Sequence, residues 1–379
     1  MFAQFKIRWR VGLGFVLVVF LTVAAIVPVV LAKFDQLSRD AEQRQLTGLY
    51  GNLIDIVIAE GRMAEAMAAT VANNPGIQSL FAAGDREGLL AQTAPIFETA
   101  KGGFDMRQFQ FHLPPATSFL RVHKPEKFGD DLSAFRQTVV AANTSQSPIM
   151  GVEKGVAGFG IRGVVPVFHE GRHIGSVEFG ASLGQPFVDE FKDTHEGTNL
   201  GVHVPDGNGF KTLASTLQDS ILTPEEMRRV MAGGGPVIHT AELDGVPVAV
   251  YGGPLFDYAG DPVGVLEIIV DRSVAAATVA AARNATLGIG ALGVLVAILI
   301  GLFITRSIVR PLCLASNKMH DIADGEGDLT QRLAVTGNDE LAQLASGFNK
   351  FVDKIQALVR QVAGATAQLA AAAEELSAT

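Results

Sequence analysis

The strongest constraint on this chain is a pair of uncharged apolar runs, Val11–Ala32 and Ala285–Thr305, which enclose the more polar residues 33–284. Each run has about 20 residues, and at a rise of about 1.5 Å per residue it spans a hydrocarbon core roughly 30 Å thick. The sequence therefore predicts two transmembrane helices. It also predicts a folded domain on one side of a membrane and both flanking segments on the other.

Basic residues lie beyond the outer ends of both runs and predict the orientation of the chain. They are Lys6, Arg8, Arg10, Arg306, Arg310 and Lys318. By the positive-inside rule, residues 1–10 and the segment after residue 305 are cytoplasmic, and residues 33–284 lie outside. A cleaved signal peptide is the alternative for the first run, but the length of that run favours an uncleaved anchor.

Charge and cysteine content narrow the classes of partner and fold. The formal net charge of −9 at pH 7 argues against nucleic acid as a partner. Cys313 is the only cysteine, so no intrachain disulfide can form. The domain outside the membrane therefore depends on its own hydrophobic core.

Two similar strings within residues 33–284 indicate an internal repeat. The first begins at Pro166 and ends at Glu178, and the second begins at Pro254 and ends at Glu267. Each string predicts two β-strands around a turn that contains glycine, which is a hairpin pattern. We interpret the pair as two similar α+β modules in series, with chance similarity of two hairpins as the alternative.

The segment from Gln110 to Leu132 resembles one subfamily of the Cache domains of bacterial chemoreceptors. Together with the helical pattern before it and the repeat after it, residues 33–284 resemble a periplasmic double Cache domain. That resemblance implies an α+β fold of two PAS-like modules with a long N-terminal helix. It places a membrane-distal module at residues 80–185 and a membrane-proximal module at residues 186–275. In Cache domains a small ligand usually binds in the distal module, between the sheet and its covering loops.

Three potential cations near the end of one predicted strand form the best candidate binding site. Arg121, His123 and Lys124 could hold a carboxylate or another anion, and an arginine can do so with two parallel hydrogen bonds. The alternative is that these residues are surface charges, or that Arg121 pairs with Asp130 or Asp131 to fix the loop. The resemblance adds as candidate walls of the pocket Phe111, Phe128, Glu153 and Arg162.

After the second apolar run, the sequence predicts two helices joined by a short connector. Asn338 can cap the second helix. From Leu341 to Leu376 apolar residues alternate at spacings of three and four, which predicts an all-α coiled coil. Residues 306–358 resemble a HAMP domain, which is a parallel four-helix bundle made by two chains. The residues that carry this resemblance, and to which it assigns signal transmission, are Pro311, Gly325, Asp339 and Glu340.

Residues 359–379 resemble the beginning of a methyl-accepting signalling helix. Glu374 and Glu375 lie between pairs of small residues, as methylation sites of that family do. Their closeness to the HAMP segment favours the alternative of an ordinary solvated acidic pair. The long hairpin to which a chemotaxis kinase and adaptor bind in that family is not in the sequence.

Two features predict a homodimer. The HAMP resemblance implies a bundle made by two chains. In the second apolar run Gly293, Ala297 and Gly301 recur at every fourth position, which allows close approach of helices.

Motifs typical of enzymes are incomplete. The string Gly158–Gly163 formally matches the dinucleotide fingerprint, but strand residues follow where the fingerprint needs a helix. His195-Glu196 lacks the second histidine of a zinc protease helix. We therefore predict a protein without catalytic residues, cofactor or metal site.

The combined prediction is a chemoreceptor of a bacterial inner membrane, which binds a small molecule outside and acts on a chemotaxis kinase and adaptor inside. One alternative is the sensor half of a histidine kinase or diguanylate cyclase. A second is a membrane-anchored periplasmic enzyme. The isolated sensor domain would turn over a substrate only under the second alternative.

Overall fold

The computed structural model describes residues 7–155, 158–324 and 328–377. The chain divides into two compact units. We call Asp35–Val279 the sensor unit, and Met1–Phe34 with Ala280–Thr379 the membrane–cytoplasmic unit.

Side-chain caps mark where several helices of the sensor unit begin. The first helix ends at Ala72, because Asn74 and Pro75 start a new helix there. The Asn74 side chain accepts hydrogen bonds from the next two free backbone N–H groups, and Asp85 caps the following helix in the same way. The helices are α1 (Ile7–Ala72), α2 (Pro75–Ala82), α3 (Arg86–Phe104), α4 (Gln137–Ser145), α5 (Gln185–Thr194) and α6 (Pro224–Met231).

Two five-stranded antiparallel sheets follow the same topology and confirm the predicted α+β repeat. Their orders are β2-β1-β5-β4-β3 and β7-β6-β10-β9-β8. We call the first sheet with α2–α4 the first module, and the second sheet with α5 and α6 the second module. The strands are β1 (Met106–Leu113), β2 (Thr117–Arg121), β3 (Ile149–Gly155), β4 (Gly158–His169), β5 (Arg172–Ser182), β6 (Thr198–Asp206), β7 (Gly209–Ser215), β8 (Val237–Leu243), β9 (Val246–Phe256) and β10 (Pro262–Asp271).

Both predicted hairpins form, as β4–β5 and β9–β10. Glu170 and Gly171 join the first pair with positive φ at both positions, as a tight two-residue hairpin turn requires. The second turn is longer, and the Asp257 side chain accepts hydrogen bonds from Ala259 and Asp261 within it. The difference in turn length explains why the two strings of the repeat differ by one residue.

Helix α1 packs directly on the first sheet through a glycine. A Cβ placed on Gly163 of β4 would overlap the backbone of Ala64 and Glu65. Ala64 and Ala68 are fully buried on this face of α1, so small residues line both sides of the contact. The backbones can approach this closely only because no side chain separates them.

The membrane–cytoplasmic unit contains two helices that are long and apolar enough to cross a membrane. Small residues face α1 from the second of them: Gly290 lies next to Val23, and Gly301 next to Gly12. Gly293 faces open space, so the predicted stripe is only partly used within one chain. The helices of this unit are α7 (Ser273–Ile304), α8 (Arg310–Asp324) and α9 (Glu340–Ser377), with a π-helical turn at Thr305–Val309 between the first two.

The connector between α8 and α9 is held by side-chain hydrogen bonds to the backbone. Asn349 both accepts from Leu333 N at 2.8 Å and donates to Leu333 O at 2.9 Å. Asp339, not the predicted Asn338, caps α9 by accepting from Ala342 N. Several apolar residues of the predicted coiled-coil seam are 43–69% exposed in the single chain: Leu344, Phe351, Leu358, Val362 and Leu369.

We predict that Gly163→Ala lowers the free energy of unfolding by about 1–3 kcal/mol, because the added methyl group must push α1 away from β4. Chemical denaturation of the full chain in detergent measures this change. Gly102→Ala is the matched control, because Gly102 lies within α3 with open space around its Cβ position and should lose no stability. Equal effects of the two substitutions would contradict the proposed contact.

Candidate ligand-binding site

Strand β1 gives the first sheet one apolar face and one polar face. Successive side chains of a strand point to opposite faces, so Phe109 and Phe111 share one face and Gln108, Gln110 and His112 share the other. The aromatic pair packs into the main hydrophobic core. The polar face is therefore the one whose side chains can bind a polar ligand.

Four charged side chains on this polar face are each 5% exposed or less. Arg136 donates from Nε to Glu153 Oε2 at 2.8 Å and from Nη2 to Glu178 Oε2 at 2.5 Å. Arg162 Nη1 lies 3.6 Å from Glu178 Oε1 and donates to Gln108 Oε1 at 2.5 Å. Strands β3, β4 and β5 and the loop before α4 thus meet in one buried charge network.

Glu153 also completes the N-terminus of α4. The N-cap residue Arg136 makes no capping bond with its side chain. Instead Glu153 accepts from Thr138 N at 2.6 Å and from Thr138 Oγ1 at 2.8 Å. A carboxylate at this position satisfies a free N–H group and favours the positive end of the helix dipole. The network therefore fixes the start of α4 as well as the loop before it.

Glycines make the space in which the Arg162 side chain lies. A Cβ on Gly155 or Gly160 would lie 3.0 or 2.8 Å from Arg162 Nη2, and a Cβ on Gly180 would overlap Nη1. These glycines come from three strands, and we call them the glycine floor. The string Gly158–Gly163 thus lies in β4, and strand residues follow it, as the sequence predicted.

A cleft of about 240 Å³ opens over the network, between the polar face and residues 121–136. Polar side chains dominate its lining, and three of the sequence-predicted site residues are among them. The lining includes Gln108, Gln110, Arg121, His123, Lys124 and Arg136.

Arg121 makes the loop contact that the sequence left open. Its Nη atoms bind the Asp130 carboxylate at 2.9 and 2.6 Å, and Nη1 also donates to Lys127 O at 3.0 Å. Asp131 instead accepts from Ser133. Hydrogen bonds from Arg121 lower the pKa of Asp130, which keeps that carboxylate charged. Arg121 therefore both lines the cleft and fixes its covering loop.

The remaining predicted residues divide between the network and positions away from the cleft. Glu153 and Arg162 belong to the network beneath it. Phe111 lies on the opposite face of the sheet, with its ring centroid 5.3 Å from that of Phe81. Phe128 is exposed, and the Arg86 guanidinium lies 3.3 Å from its ring centroid.

Other residues of the site were missed by the sequence analysis. They are Gln108, Gln110, His112, Lys127, Arg136 and Glu178. Glu178 could have been recognised from the sequence, because it is the last residue of the first string of the repeat. Arg136 could not, since its partners lie 17 and 42 residues further along the chain.

Burial and neighbouring charges set the protonation states of the network. Burial alone would raise the pKa of Glu178, but Arg136, Arg162 and His112 outweigh it and lower the value to about 2. Burial lowers the pKa of Arg162 to about 10 and that of His112 to about 3. At pH 7 His112 is therefore neutral, while Glu178 and Arg162 are charged. Within the part of the chain that the structure describes, no three His, Cys, Asp or Glu side chains are grouped to hold a metal ion.

In the second module, apolar residues occupy the equivalent sheet positions. The strand register makes Glu267 the counterpart of Glu178. By the same register, Val250 and Ile269 stand where the first module has Arg162 and Gly180. This face of the second sheet therefore packs into a hydrophobic cluster of its own module.

Leu222 and its neighbours close the second module where the first has a cleft. A Cβ on Gly252 would lie 2.7 Å from Leu222 Cδ1. Glu267 accepts from Ile221 N and Leu222 N at 2.8 and 2.7 Å, and its other oxygen lies 2.8 Å from His203 Nε2. Both carboxylate oxygens thus have partners from the protein itself.

The predicted signal-transmission residues lie at the α8–α9 contact where the structure describes them. Pro311 and Asp339 line a pocket of about 200 Å³ there, and Glu340 is the first residue of α9. Gly325 lies outside the described residues. Glu374 and Glu375 lie on α9, but their side chains are outside the described part of the chain.

A sequence model of one sensor family covers most of the sensor unit. The dCache_3 family, described as the double sensory domain of two-component sensor kinase, matches residues 39–275. The chain belongs to the double Cache family. Residues 303–357 of this double Cache protein also match the HAMP domain. The predicted combination of a double Cache sensor and a HAMP domain is thereby confirmed.

Curated relatives of this double Cache protein include methyl-accepting chemotaxis proteins. CtpM of Pseudomonas aeruginosa is 52% identical over 83 residues, which are 21% of this chain and 15% of CtpM. McpA of Pseudomonas putida is 33% identical over 177 residues, which are 46% of this chain and 22% of McpA. The matched segments therefore span less than a quarter of the relatives' own length.

Among solved structures, the ligand-binding domain of the Campylobacter jejuni chemoreceptor Tlp3 in complex with L-norvaline is similar to the sensor part of this double Cache protein. The similarity covers 64% of this chain and 93% of that domain, with 12% identity and a TM-score of 0.43.

We predict that Arg136→Met lowers the free energy of unfolding by about 3–5 kcal/mol, because it leaves two buried carboxylates with one fewer cation between them. Denaturation of the full chain in detergent measures this loss. Arg107→Met is the matched control, since Arg107 pairs with Asp105 at the exposed surface and should contribute about 0–1 kcal/mol. Similar losses in the two variants would contradict the buried network.

We also predict that stability falls as the pH is lowered from about 6.5 towards 4, and that His112→Asn reduces this slope. The folded-state pKa of His112 is about 3, well below the ordinary value of about 6.5, so the unfolded chain binds a proton that the folded chain excludes. The unfolding midpoint measured across this pH window tests the prediction. Gly102→Ala changes no titratable group and should keep the parent slope, whereas an unchanged slope in His112→Asn would contradict the argument.

Proposed function

We propose that this chain is the sensor and HAMP part of a transmembrane chemoreceptor of a bacterial inner membrane. The first module is then the membrane-distal one, and its cleft binds a small organic anion from the periplasm. The observation that carries the proposal is the contrast between the modules. At equivalent sheet positions, one module has a charged cleft and the other has a hydrophobic cluster.

The charges of the cleft favour an anion. The cationic side chains in or directly beneath it outnumber the carboxylates by five to three, and Lys124 and Lys127 make no ion pair among the described residues. The cations are Arg121, Lys124, Lys127, Arg136 and Arg162. The carboxylates are Asp130, Glu153 and Glu178.

An amine fits this cleft less well, because the carboxylates are already occupied. Both Asp130 oxygens bind Arg121, and both Glu153 oxygens bind Arg136 or Thr138. Glu178 has one oxygen without a hydrogen bond, but that oxygen lies 3.6 Å from Arg162 Nη1 and the residue is fully buried. An entering ammonium group would have to displace an arginine, whereas a carboxylate can accept from unpaired cations.

Ligand binding would act on the second module through strand β3. Tyr258, in the β9–β10 turn of the second module, donates from its backbone N–H to Val152 O at 3.1 Å. Val152 precedes Glu153, which holds the charge network. We consider two arrangements of the sensor unit that differ at this contact. A ligand with higher affinity for one arrangement would increase the population of that arrangement, and the free-energy change could not exceed the ligand's difference in binding free energy between the two.

Output by a homodimer is the second part of the proposal. The exposed apolar seam of α9 would be covered by the same seam of a second chain, as the heptad spacing favours. Chemotaxis is proposed because the curated relatives are methyl-accepting chemotaxis proteins. A kinase output is the alternative, since 66 residues of this chain are 33% identical to the sensor protein kinase WalK of Staphylococcus aureus.

We predict that at least one small carboxylate raises the unfolding midpoint of the full chain in detergent by a few degrees at saturating concentration. Acetate, propionate, succinate and citrate are the probes, at constant ionic strength, with choline and putrescine as cationic comparisons. Stabilisation by the amines but by none of the acids would contradict the anion site, and so would a midpoint that none of the six compounds moves.

The double substitution Lys124→Gln with Lys127→Gln should weaken binding of the active acid roughly 5–30-fold, because two exposed charges at the cleft each contribute up to about 1 kcal/mol. Lys101→Gln with Lys192→Gln is the matched control, since both lysines are exposed and lie away from the cleft. Equal affinities of the two double variants would remove the lysines from the site.

A further inference from the structure

Two donors face the same oxygen of Glu178. Arg136 Nη2 reaches Glu178 Oε2 at 2.5 Å, while His112 Nε2 lies 3.7 Å from that atom, beyond hydrogen-bond distance. His112 is fully buried, yet neither of its ring nitrogens has a hydrogen-bond partner among the described residues. Burying an imidazole in this state is unfavourable, because its bonds to water are lost without replacement. His112 thus makes no hydrogen bond, and the Glu178 oxygen nearest to it already accepts one from Arg136.

The second module contains the alternative pairing at the equivalent positions. In the strand register, His112 corresponds to His203 just as Glu178 corresponds to Glu267. His203 Nε2 lies 2.8 Å from Glu267 Oε2, and its Nδ1 lies 3.1 Å from Thr212 Oγ1. The sheet geometry shared by both modules therefore accommodates a direct histidine–glutamate bond.

Arg136 is placed where a ligand could draw it away. Arg136 lines the cleft, and its guanidinium binds Glu178. The guanidinium is planar and moves as one unit, so Nε would leave Glu153 when the terminal nitrogens turn towards the cleft, and Thr138 N and Oγ1 would remain as the partners of Glu153. An anion in the cleft would compete with Glu178 for those nitrogens.

We infer that His112 is a positioning residue of the ligand site, which takes over Glu178 when an anion draws the Arg136 guanidinium into the cleft. The inference rests on the proposed anion site. The exchange needs a closure of about 1 Å between His112 Nε2 and Glu178 Oε2 to reach hydrogen-bond distance. Arg162 remains beside the carboxylate throughout, so Glu178 keeps a compensating charge in either state.

The exchange gives the network one hydrogen-bonding arrangement in the empty site and a second, distinct arrangement in the occupied site. With Arg136 on Glu178, the loop before α4 is tied to β5. With His112 on Glu178, that tie is released and β1 is bonded to β5 through side chains instead. A ligand thereby changes which element is fixed to the centre of the sheet.

A double-mutant cycle on the full chain in detergent tests the exchange without any ligand. Arg136→Met removes the competing donor, so His112 should then hold Glu178. We expect His112→Phe to lower the unfolding midpoint by roughly 2–8 °C more in the Arg136→Met background than in the parent. The control background is Arg107→Met, in which His112→Phe should act as in the parent. Additive effects in the Arg136→Met background would overturn the inference.

His112→Gln should retain more of the stability in that background than His112→Phe, because its amide keeps an N–H donor. A second readout is the proton on His112 Nε2 in ¹⁵N-histidine-labelled protein. We expect a solvent-protected Hε2 signal, similar to that of His203, in Arg136→Gln and not in the parent. Its absence from Arg136→Gln would overturn the exchange even if Arg136→Met failed to fold. Since neither measurement uses an anion, loss of the exchange and loss of the anion site are separately observable.

Discussion

The first module depends on the burial of four charges on one face of a sheet. Arg136, Glu153, Arg162 and Glu178 lose most of their hydration there, and their mutual attraction offsets that cost only with good geometry. The other features of the module supply this geometry. Thr138 satisfies Glu153, the glycine floor makes space for Arg162, and the loop before α4 delivers Arg136.

The second module shows how the same sheet topology is packed when it lacks most of those charges. The second sheet has the same strand order, yet Val250 and Ile269 replace an arginine and a glycine, and its face is closed by its own hydrophobic cluster. Glu267 is retained and is satisfied by a histidine and two backbone N–H groups. One chain thus contains two modules with apolar cores, of which only the first also buries paired charges beneath a cleft.

Sequence reasoning predicted the architecture more completely than the site. The spans, the repeat, the hairpins and the coiled coil follow from patterns that are local in the chain. The choice of Arg121 between Asp130 and Asp131 did not follow from them and was made by the structure. Alternation along β1 could also have separated Phe111 from Gln110, because a strand's successive side chains oppose each other. Arg136 could not be found this way, since a lone arginine before a helix has no pattern that points to Glu178. The cap of α9 differed by one residue because Asn338 and Asp339 are both good capping residues.

If the proposed cleft binds the ligand, the glycine floor limits how the ligand range can change. Any side chain at Gly155, Gly160 or Gly180 would occupy the space of the Arg162 guanidinium, so the base of the cleft tolerates little variation. Residues 124–129 face no such limit, because most of their side chains are exposed and they cover the cleft from the solvent side. New specificities should therefore arise by exchanging this covering segment on an unchanged sheet. In an engineered biosensor, the segment is the part to randomise, and the floor is the part to keep.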